Sequence, residues 1–512
     1  MKRIVFAIVL CLLVSSAMLA QEMLSLEGSW DFATGDSVRY ADYVMLPGSM
    51  QTNGKDGSYR GKAWYKKTVY VPQSWQDCHI SLFLERPHQQ TTVIVNGIKV
   101  GRQQWLYTPH HYDVSPCIRP GIRNTIEVCV ENVSGWNGIV GRLELRAQPA
   151  EMFLRQVRFQ PVPFSGMVQL DVSLGGHVNA FSSGVVGVLV QRADNDSADV
   201  VERYFEVGST HNRLDMPVGS RVALWDEFHP HLYRMGIVMG DDYHETTFGM
   251  RQLSREGGVP MLNGCPLFLR GIEDTGRYPE TGFPPTDEDY WARRFKKLKA
   301  WGLNYVLFRG HCPPEAAFFA ADRLGLYLQP DVQPADMQRI ADDFSCHPSL
   351  MAHLDSCLQT IPLGADYKEA IERNLCDTTS RGFIMQGLDE AASRPEDRTQ
   401  YCAPVVPLAI FPQRRYTSAD TLRVPIEIRN AMDGDVNPVR ISYYVKDDSL
   451  QVLGGGVLAV KALPVGLSKD IGTVVFPLDK ASRPGKLSLH VLIANRVENH
   501  WDIWVEPQSP ND

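Results

Sequence analysis

The chain has 512 residues, of which 44% are hydrophobic and 21% charged, and its formal net charge is -8. This length exceeds what one hydrophobic core supports, so several domains are expected. The acidic balance, without long runs of like charge, argues against nucleic acid as a partner, whereas it permits a neutral, hydroxyl-rich partner such as a sugar.

The first twenty residues have the pattern of a secretory signal peptide. Lys2 and Arg3 precede an apolar run over residues 4–14, and small residues lead to Ala20. The run is short for a membrane span, and nothing later approaches the roughly 20 apolar residues that a spanning helix needs. We therefore expect residues 1–20 to be removed, no transmembrane segment, and a mature protein that is periplasmic or extracellular.

The cysteines favour neither disulfides nor a metal site. Cys11 lies in the signal segment, so nine of the ten cysteines remain, and they are scattered without a CxxC pair. An odd, irregular set predicts neither a disulfide framework nor a zinc site, and most of these residues are expected in the core. No metal triad, P-loop or Ser-His-Asp pattern stands out, so no metal and no cofactor is predicted.

Short runs of alternating apolar and polar residues, separated by turn signals, indicate a multidomain and mainly β fold. Asn96-Gly97 stands between two such runs, which is a strong hairpin signal. The pattern predicts a jelly-roll sandwich over residues 21–149 and an Ig-like sandwich over residues 150–253. It returns near the end of the chain and predicts a C-terminal β-sandwich over residues 402–512.

Residues 254–401 instead alternate predicted strands and helices, which is the repeat of a parallel (β/α) barrel. Thr286 with Asp289 three residues later forms a capping-box pattern at the start of one helix. The predicted strands are 267–270, 304–308, 326–328, 350–354 and 382–388.

The barrel segment is short. From Gly257 to Tyr401 there are about 145 residues, whereas a full barrel takes about 250, or at least roughly 200. After residue 354 the sequence passes straight to a predicted terminal barrel strand, so the middle strands have no evident counterpart. We therefore predict a truncated barrel, whose exposed strand edges a homo-oligomer would cover.

Ordered motifs along most of the chain carry a family resemblance. They include Leu46-Pro47-Gly48, Val93-Ile94-Val95-Asn96-Gly97, Pro230-His231-Leu232-Tyr233, Phe248-Gly249-Met250-Arg251 and Leu269-Arg270-Gly271, with a closing Trp501-Asp502-Ile503-Trp504. In this order they resemble glycoside hydrolase family 2, the β-galactosidase and β-glucuronidase family. Any single motif would be weak, and the order makes the resemblance specific.

The resemblance implies an architecture and a reaction. Members have a jelly roll, an Ig-like sandwich, a barrel with two catalytic glutamates, and accessory sandwiches. The implied partner is a carbohydrate, an oligo- or polysaccharide glycan. The implied chemistry is retaining hydrolysis, in which an acid protonates the leaving oxygen and a carboxylate about 5–5.5 Å away attacks the anomeric carbon. Both groups project from the C-terminal ends of barrel strands.

The first barrel signature of the family is present with changes. Asn304, His311, Pro313, Asp322 and Gly325 match it if the loop absorbs one extra residue. Leu307 stands at the arginine position, and Arg309 is the nearest substitute. Arg309 and His311 are therefore predicted to face the substrate; the alternative is a solvated arginine and a histidine that satisfies a turn.

The second signature lacks its catalytic residue. His347-Pro348-Ser349 matches, but His353 replaces the expected tryptophan and Leu358 stands where the acid/base glutamate belongs. Leucine can neither donate nor accept a proton. No nucleophile segment is evident after it.

Other carboxylates at strand ends are the remaining candidates. Asp355 and Glu390 follow predicted strands and are the candidate catalytic residues, while Asp274 and Asp331 are candidate substrate-binding residues. The alternative is that these acids cap helices or lie solvated in loops. Three aromatic residues of the first domain could stack on sugar rings or pack within the sandwich, namely Trp105, Tyr107 and Trp136.

Three hypotheses for function remain. The first is an exported, β-galactosidase-like glycosidase acting on O-glycosidic bonds through a non-standard or oligomer-completed site. The second is a catalytically inactive relative that binds glycan or assembles with a partner. The third is an internally deleted gene product that folds poorly. The resemblance favours an enzyme, whereas the residues at the catalytic positions leave activity open.

Overall fold

The computed structural model describes residues 22–132, 135–178, 182–194, 200–279, 281–351, 358–387, 395–480, 485–494 and 497–506. Within these ranges the chain forms 34 β-strands and five α-helices, so the predicted multidomain, mainly β fold is confirmed. The chain divides into two compact units. The first contains the described residues up to Gln252, Asp274–Ala292, and those from Phe308 to Met351. The second contains Leu253–Glu273, Arg293–Leu307 and the described residues from Leu358 onward.

The first unit begins with a two-sheet sandwich. Its strands are β1 (Glu22–Ser25), β2 (Gly28–Thr34), β3 (Asp42–Leu46), β4 (Gly48–Ser49), β5 (Gly61–Tyr70), β6 (Cys78–His88), β7 (Gln90–Val95), β8 (Ile98–Gln103), β9 (His110–Asp113), β10 (Arg123–Asn132) and β11 (Gly138–Pro149), with a 3-10 turn at Gln73–Trp75. One sheet has the order β1-β11-β6-β9, with β4 also on β11, and the other has the order β3-β2-β5-β10-β7-β8. Apolar side chains from both sheets, including Trp30 and Leu82, fill the space between them, together with Trp75 of the 3-10 turn.

The predicted hairpin lies in this sandwich. β7 and β8 pair antiparallel, with Val95 opposite Ile98. Asn96 and Gly97 have φ values of 51° and 81°, so both turn residues adopt the left-handed conformation. That conformation is acceptable to Asn and Gly and unfavourable for most other residues, which is why the dipeptide predicts the turn.

A second sandwich follows in the same unit. Its strands are β12 (Met152–Val162), β13 (Met167–Gly176), β14 (Gly184–Arg192), β15 (Val201–Val207), β16 (His211–Pro217), β17 (Tyr233–Met239) and β18 (Asp242–Phe248), with a 3-10 turn at Pro163–Ser165. The sheets have the orders β12-β13-β16 and β15-β14-β17-β18. Seven antiparallel strands around a core that includes Leu170, Val188 and Met235 fit the Ig-like prediction.

The next segment mixes strands and helices. Its strands are β19 (Leu253–Glu256), β20 (Val259–Leu262), β21 (Cys265–Pro266), β22 (Leu269–Asp274), β23 (Tyr305–Arg309), β24 (Tyr327–Asp331), β25 (Gln359–Ile361) and β26 (Gly382–Met385). Its helices are α1 (Glu288–Ala300), α2 (Glu315–Leu324), α3 (Pro334–Asp343), α4 (Tyr367–Cys376) and α5 (Pro395–Cys402). In the second unit β22 pairs parallel with β26, and β26 pairs parallel with β25.

This segment corrects several local predictions. β22, β23 and β24 each end later than predicted, so Asp274, Arg309 and Asp331 are the last residues of their strands. The backbone N–H groups of Asp289 and Tyr290 donate to Asp287, so Asp287 rather than Thr286 caps the helix. β25 and α4 lie between residue 354 and the terminal strand, so the expected direct passage between them is wrong. Closure of these strands into a truncated barrel stays a prediction.

The second unit ends in a third sandwich. Its strands are β27 (Val405–Ala409), β28 (Arg415–Thr417), β29 (Thr421–Asn430), β30 (Val436–Asp447), β31 (Val452–Leu463), β32 (Gly466–Pro477), β33 (Gly485–Ile493) and β34 (Val497–Glu506), with a 3-10 turn at Leu478–Lys480. The sheets have the orders β27-β29-β32 and β28-β34-β33-β30-β31, and their core includes Ile426, Leu489 and Trp501. Among the described residues no helix is long and apolar enough to cross a membrane.

Candidate functional site

Asp274 is the centre of the candidate site in the first unit. It ends β22, and its carboxyl group is largely buried, with 6% of the residue exposed. Its Oδ1 accepts a hydrogen bond from the backbone N–H of Gly276 at 2.7 Å. Gly276 has a φ of +73°, a conformation that favours glycine, and a Cβ there would lie 3.3 Å from the ring of His311. A small residue in this turn therefore lets the histidine approach Asp274.

His311 and Tyr278 complete the polar cluster. Nε2 of His311 lies 3.4 Å from Oδ1 of Asp274, and its Nδ1 lies 3.2 Å from the carbonyl oxygen of Arg309. The hydroxyl of Tyr278 lies 3.4 Å from Oδ2 of Asp274 and 3.5 Å from Nε2 of His311. The tyrosine hydroxyl donates to Oδ2 of Asp274, and both ring nitrogens of His311 face oxygen acceptors, Nδ1 the carbonyl of Arg309 and Nε2 the carboxylate of Asp274.

Aromatic rings pack against one side of this cluster. Tyr278 packs edge-on against Trp291 with 6.1 Å between ring centroids, and Trp291 packs against Phe308 at 6.0 Å. Phe308 in turn meets the ring of His311 at 5.4 Å. The indole N–H of Trp291 donates to the carbonyl of Pro285 at 2.7 Å, which fixes its ring. Packed rings of this kind hold the polar groups in one orientation.

Arg309 and Asp331 form a separate pair. Nη1 of Arg309 lies 2.7 Å from Oδ2 of Asp331, and both side chains are 44% exposed. The backbone also joins the two strand ends, because the N–H of Gly310 donates to the carbonyl of Asp331 at 3.0 Å. The structure thus brings two of the predicted substrate-side residues together at the surface.

The candidate catalytic residues Asp355 and Glu390 lie outside the described residues, as does His353. Leu358 is described, immediately before β25, and it carries no group that transfers a proton. The described part of the site therefore offers the carboxylates of Asp274 and Asp331 as hydrogen-bond acceptors for hydroxyl groups. Its acid/base and nucleophile remain predictions.

The Asp322 and His347 of the two barrel signatures form a buried pair in the first unit. Nδ1 of His347 lies 2.6 Å from Oδ2 of Asp322, and the backbone N–H of Ser349 donates to Oδ1 at 3.0 Å. Burial alone lowers the pKa of His347, but Cys346 and the Asp322 carboxylate raise it well above its ordinary value. Asp322 thus holds the His-Pro-Ser segment in place.

The three aromatic residues proposed for sugar stacking are engaged in packing. The guanidinium of Arg339 lies 4.1 Å from the ring centroid of Trp105. Trp136 stacks on His88 at 4.5 Å and contacts Phe283 at 5.8 Å. The hydroxyl of Tyr107 donates to the carbonyl of Gly310 at 3.1 Å. These contacts favour the packing alternative for all three.

Sequence reasoning missed Tyr278, although its signal was visible. An aromatic residue four positions after a strand-end acid, in a loop rich in Gly and Pro, is suited to fold back over that acid. The sequence pattern predicts only a connecting loop there, because nothing in it has a repeating pattern.

Comparison with known proteins relates the chain to one family. A family model described as glycosyl hydrolases family 2, sugar binding domain, matches residues 14–143. The β-glucuronidase of Streptococcus agalactiae serotype V is 23% identical, over 80% of this chain and 72% of its own length. The chain is related to glycoside hydrolase family 2.

Other similarities agree with this relation and set its limits. A β-galactosidase of Enterobacter cloacae is 24% identical over 58% of this chain, but the match spans only 31% of that enzyme. The apo β-glucuronidase of Ruminococcus gnavus has a TM-score of 0.53 and 18% identity, covering 64% of this chain and 66% of its own. At this identity the structural likeness shows the fold alone. Residues 420–507 match a domain of unknown function, DUF8488.

Proposed function

We propose that the protein is an exported relative of glycoside hydrolase family 2 that binds a sugar of a glycan beside Asp274 and acts on its O-glycosidic bond. The observation that carries this proposal is the buried carboxylate of Asp274 with His311 at 3.4 Å and Tyr278 at 3.4 Å, at the end of β22. Convergent polar groups beside packed aromatic rings are typical of a small-molecule site. The named activities of the relatives support a β-galactoside or β-glucuronide as substrate.

Asp355 and Glu390 are the proposed catalytic carboxylates. Retaining hydrolysis needs one carboxyl group as acid and base and another as nucleophile, about 5–5.5 Å apart. Both residues follow segments that the sequence predicts as strands, which is where barrel enzymes place catalytic groups. Either residue can be the acid and base, with the other as nucleophile.

The second candidate function is glycan binding or assembly without catalysis. Leu358, at the position where the family places its acid/base glutamate, is the observation that favours it. A binding site would still use Asp274, His311 and Tyr278, because recognition of hydroxyl groups needs no proton transfer.

A panel of aryl β-glycosides, run with the mature full-length protein, separates the two candidates. Hydrolysis that Asp355→Asn or Glu390→Gln abolishes supports the enzyme, with Asp36→Asn as the control because Asp36 is 86% exposed and pairs only with Lys62 at 2.7 Å among the described contacts. Glycan binding without turnover supports the second candidate. Neither binding nor turnover, in a folded protein, contradicts both.

Export and assembly are proposed on the sequence. Cell fractionation with N-terminal sequencing should find the protein outside the cytoplasm, cut near Ala20. A cytoplasmic protein that retains Met1 would contradict export. Light scattering of the purified protein tests for the homo-oligomer that would cover the edges of a short barrel.

A further inference from the structure

The loop that carries His311 has an unusual need for hydrogen-bond donors. Cys312, Pro313 and Pro314 are buried, and prolines have no N–H group. Buried carbonyl groups require donors, since leaving one unpaired costs about as much free energy as a lost hydrogen bond. The thiol of Cys312 donates to the carbonyl of Pro313 at 3.3 Å, and the carbonyl of Pro314 accepts from the N–H of Ala317 at 2.9 Å. The remaining need for donors falls on groups from other segments.

Two residues of the first sandwich supply those donors. The guanidinium of Arg86, on β6, donates through Nη2 to the carbonyl of Cys312 and through Nη1 to that of Pro313 at 3.3 Å. Nη1 also donates to the carbonyl of Tyr107 at 3.2 Å. The hydroxyl of Tyr107 donates to the carbonyl of Gly310 at 3.1 Å. The carbonyl of Gly310, before His311, and those of Cys312 and Pro313, after it, thus all accept hydrogen bonds from side chains of the first sandwich.

Burial leaves Arg86 little access to water as an alternative hydrogen-bond partner. Only 5% of the residue is exposed, and burial lowers the pKa of its guanidinium. Within the described part of the chain its Nε makes no hydrogen bond, so the side chain gives up one donor while its two terminal nitrogens serve carbonyls. The planar fork reaches adjacent carbonyls at once, whereas a lysine ammonium is a point donor on a flexible stem.

We propose that Arg86 is a positioning residue that, with Tyr107, fixes the loop over residues 310–313 so that His311 faces Asp274. The consequence for glycan binding rests on the proposed function, whereas the fixing of the loop does not. The first sandwich then contributes to the site indirectly, because its residues Arg86 and Tyr107 hold the loop that carries His311.

Hydrogen exchange and chemical modification of His311 test the proposal in the full-length protein. In Arg86→Lys we expect exchange of the peptide spanning residues 308–314 to accelerate by roughly tenfold or more, because local opening becomes easier. The rate at which diethyl pyrocarbonate modifies His311 should rise with it, since the ring loses its fixed place beside Asp274. Tyr107→Phe, which removes one hydroxyl and keeps the ring, should produce the same changes to a smaller degree.

Ile126→Val is the matched control for general loosening, because Ile126 is fully buried in the core of the same sandwich. We expect it to accelerate exchange in the sandwich without a selective change at residues 308–314 or His311. If Arg86→Lys does not fold, Tyr107→Phe decides alone. Unchanged exchange and modification in the folded variants, or changes identical to those of Ile126→Val, would overturn the proposal.

Glycan binding is measured on the same variants as a separate readout. If the wild-type protein binds an aryl β-glycoside, Arg86→Lys should weaken that binding by about tenfold, which corresponds to about 1.4 kcal/mol. If the wild-type protein binds none, the proposed function fails, and the exchange data still decide whether Arg86 fixes the loop.

Discussion

Oδ1 of Asp274 and Nε2 of His311 lie 3.4 Å apart, although Asp274 ends β22 and His311 follows β23. Gly276, which leaves room for the imidazole ring, and Arg309, whose carbonyl oxygen lies 3.2 Å from Nδ1, orient the two groups toward each other. This relationship is the basis of the first prediction.

Asp274→Asn should weaken glycan binding strongly. The amide keeps the shape and still accepts from Gly276, but it loses the negative charge beside His311. We expect at least a roughly tenfold loss of affinity, and a loss of about 1–3 kcal/mol in unfolding free energy, as for a buried group that loses a charged partner. Calorimetric binding and urea unfolding measure the two effects. Asp36→Asn should change neither, and equal effects in both variants would contradict the role of Asp274.

Arg309 and Asp331 should contribute little to stability. Both side chains are 44% exposed, and exposed ion pairs contribute roughly 0.2–1 kcal/mol. A double-mutant cycle with Arg309→Gln and Asp331→Asn should therefore give a coupling energy below about 1 kcal/mol. Arg415 and Glu506, which are 79% and 55% exposed and 3.0 Å apart, provide a matched pair in the last sandwich.

Glycan affinity distinguishes the predicted substrate role of Arg309 and Asp331 from a solvated surface pair. We expect either single substitution to reduce affinity by roughly tenfold, the loss of one charged hydrogen bond. Affinity that stays at the wild-type value in both variants would favour the solvated alternative that the sequence left open.

Parts of the fold were predictable because a local rule decides them. Asn96-Gly97 predicts its hairpin, since few other residues accept positive φ at both turn positions. The alternation of strands and helices after Gly257 was also visible. β25 was not, because Gln359–Ile361 has three residues and no apolar run. Asp287 and Thr286 are both suitable helix caps, and the sequence pattern does not rank two such neighbours.

The candidate site was predictable only in part. Acids and a histidine at strand ends were identified from their positions, since strand ends converge in a parallel sheet. Their mutual distances depend on loop conformation, which has no repeating pattern. The role of Arg86 could not be predicted. Arg86 lies far along the chain from Cys312, and the sequence of a strand does not indicate which loop carbonyls a buried guanidinium will bind.

Gly249→Ala should destabilise the first unit. A Cβ at Gly249 would lie 2.5 Å from Cγ of Pro348 and 3.0 Å from Cβ of Trp225, so ring or backbone must shift. We expect a loss of about 1–3 kcal/mol, as for other overpacked cores, and a lower unfolding temperature by calorimetry. Gly434→Ala is the control, because a Cβ there meets nothing within 4 Å and the backbone is unstrained. Equal stability of the two variants would show that the contact relaxes freely.

His110 should make the first sandwich sensitive to acid. Its ring is fully buried, Nε2 donates to the carbonyl of Trp105 at 2.8 Å, and Nδ1 lies 2.6 Å from the hydroxyl of Thr91. Burial lowers the pKa of His110 to about 4, whereas an unfolded histidine has a pKa of about 6.5. Between these values the unfolded chain binds the proton more tightly. The stabilisation is therefore complete above about pH 6.5 and is lost as the pH falls toward 4.

A shift of this size corresponds to roughly 3 kcal/mol of stability lost across that interval. Unfolding by urea at several pH values should show wild type losing stability faster than His110→Gln between pH 6.5 and 4, because glutamine does not titrate. Other titrating groups contribute equally to both proteins, so the difference between the two curves isolates His110. Parallel curves for wild type and His110→Gln would show that His110 is protonated equally in the folded and unfolded chains.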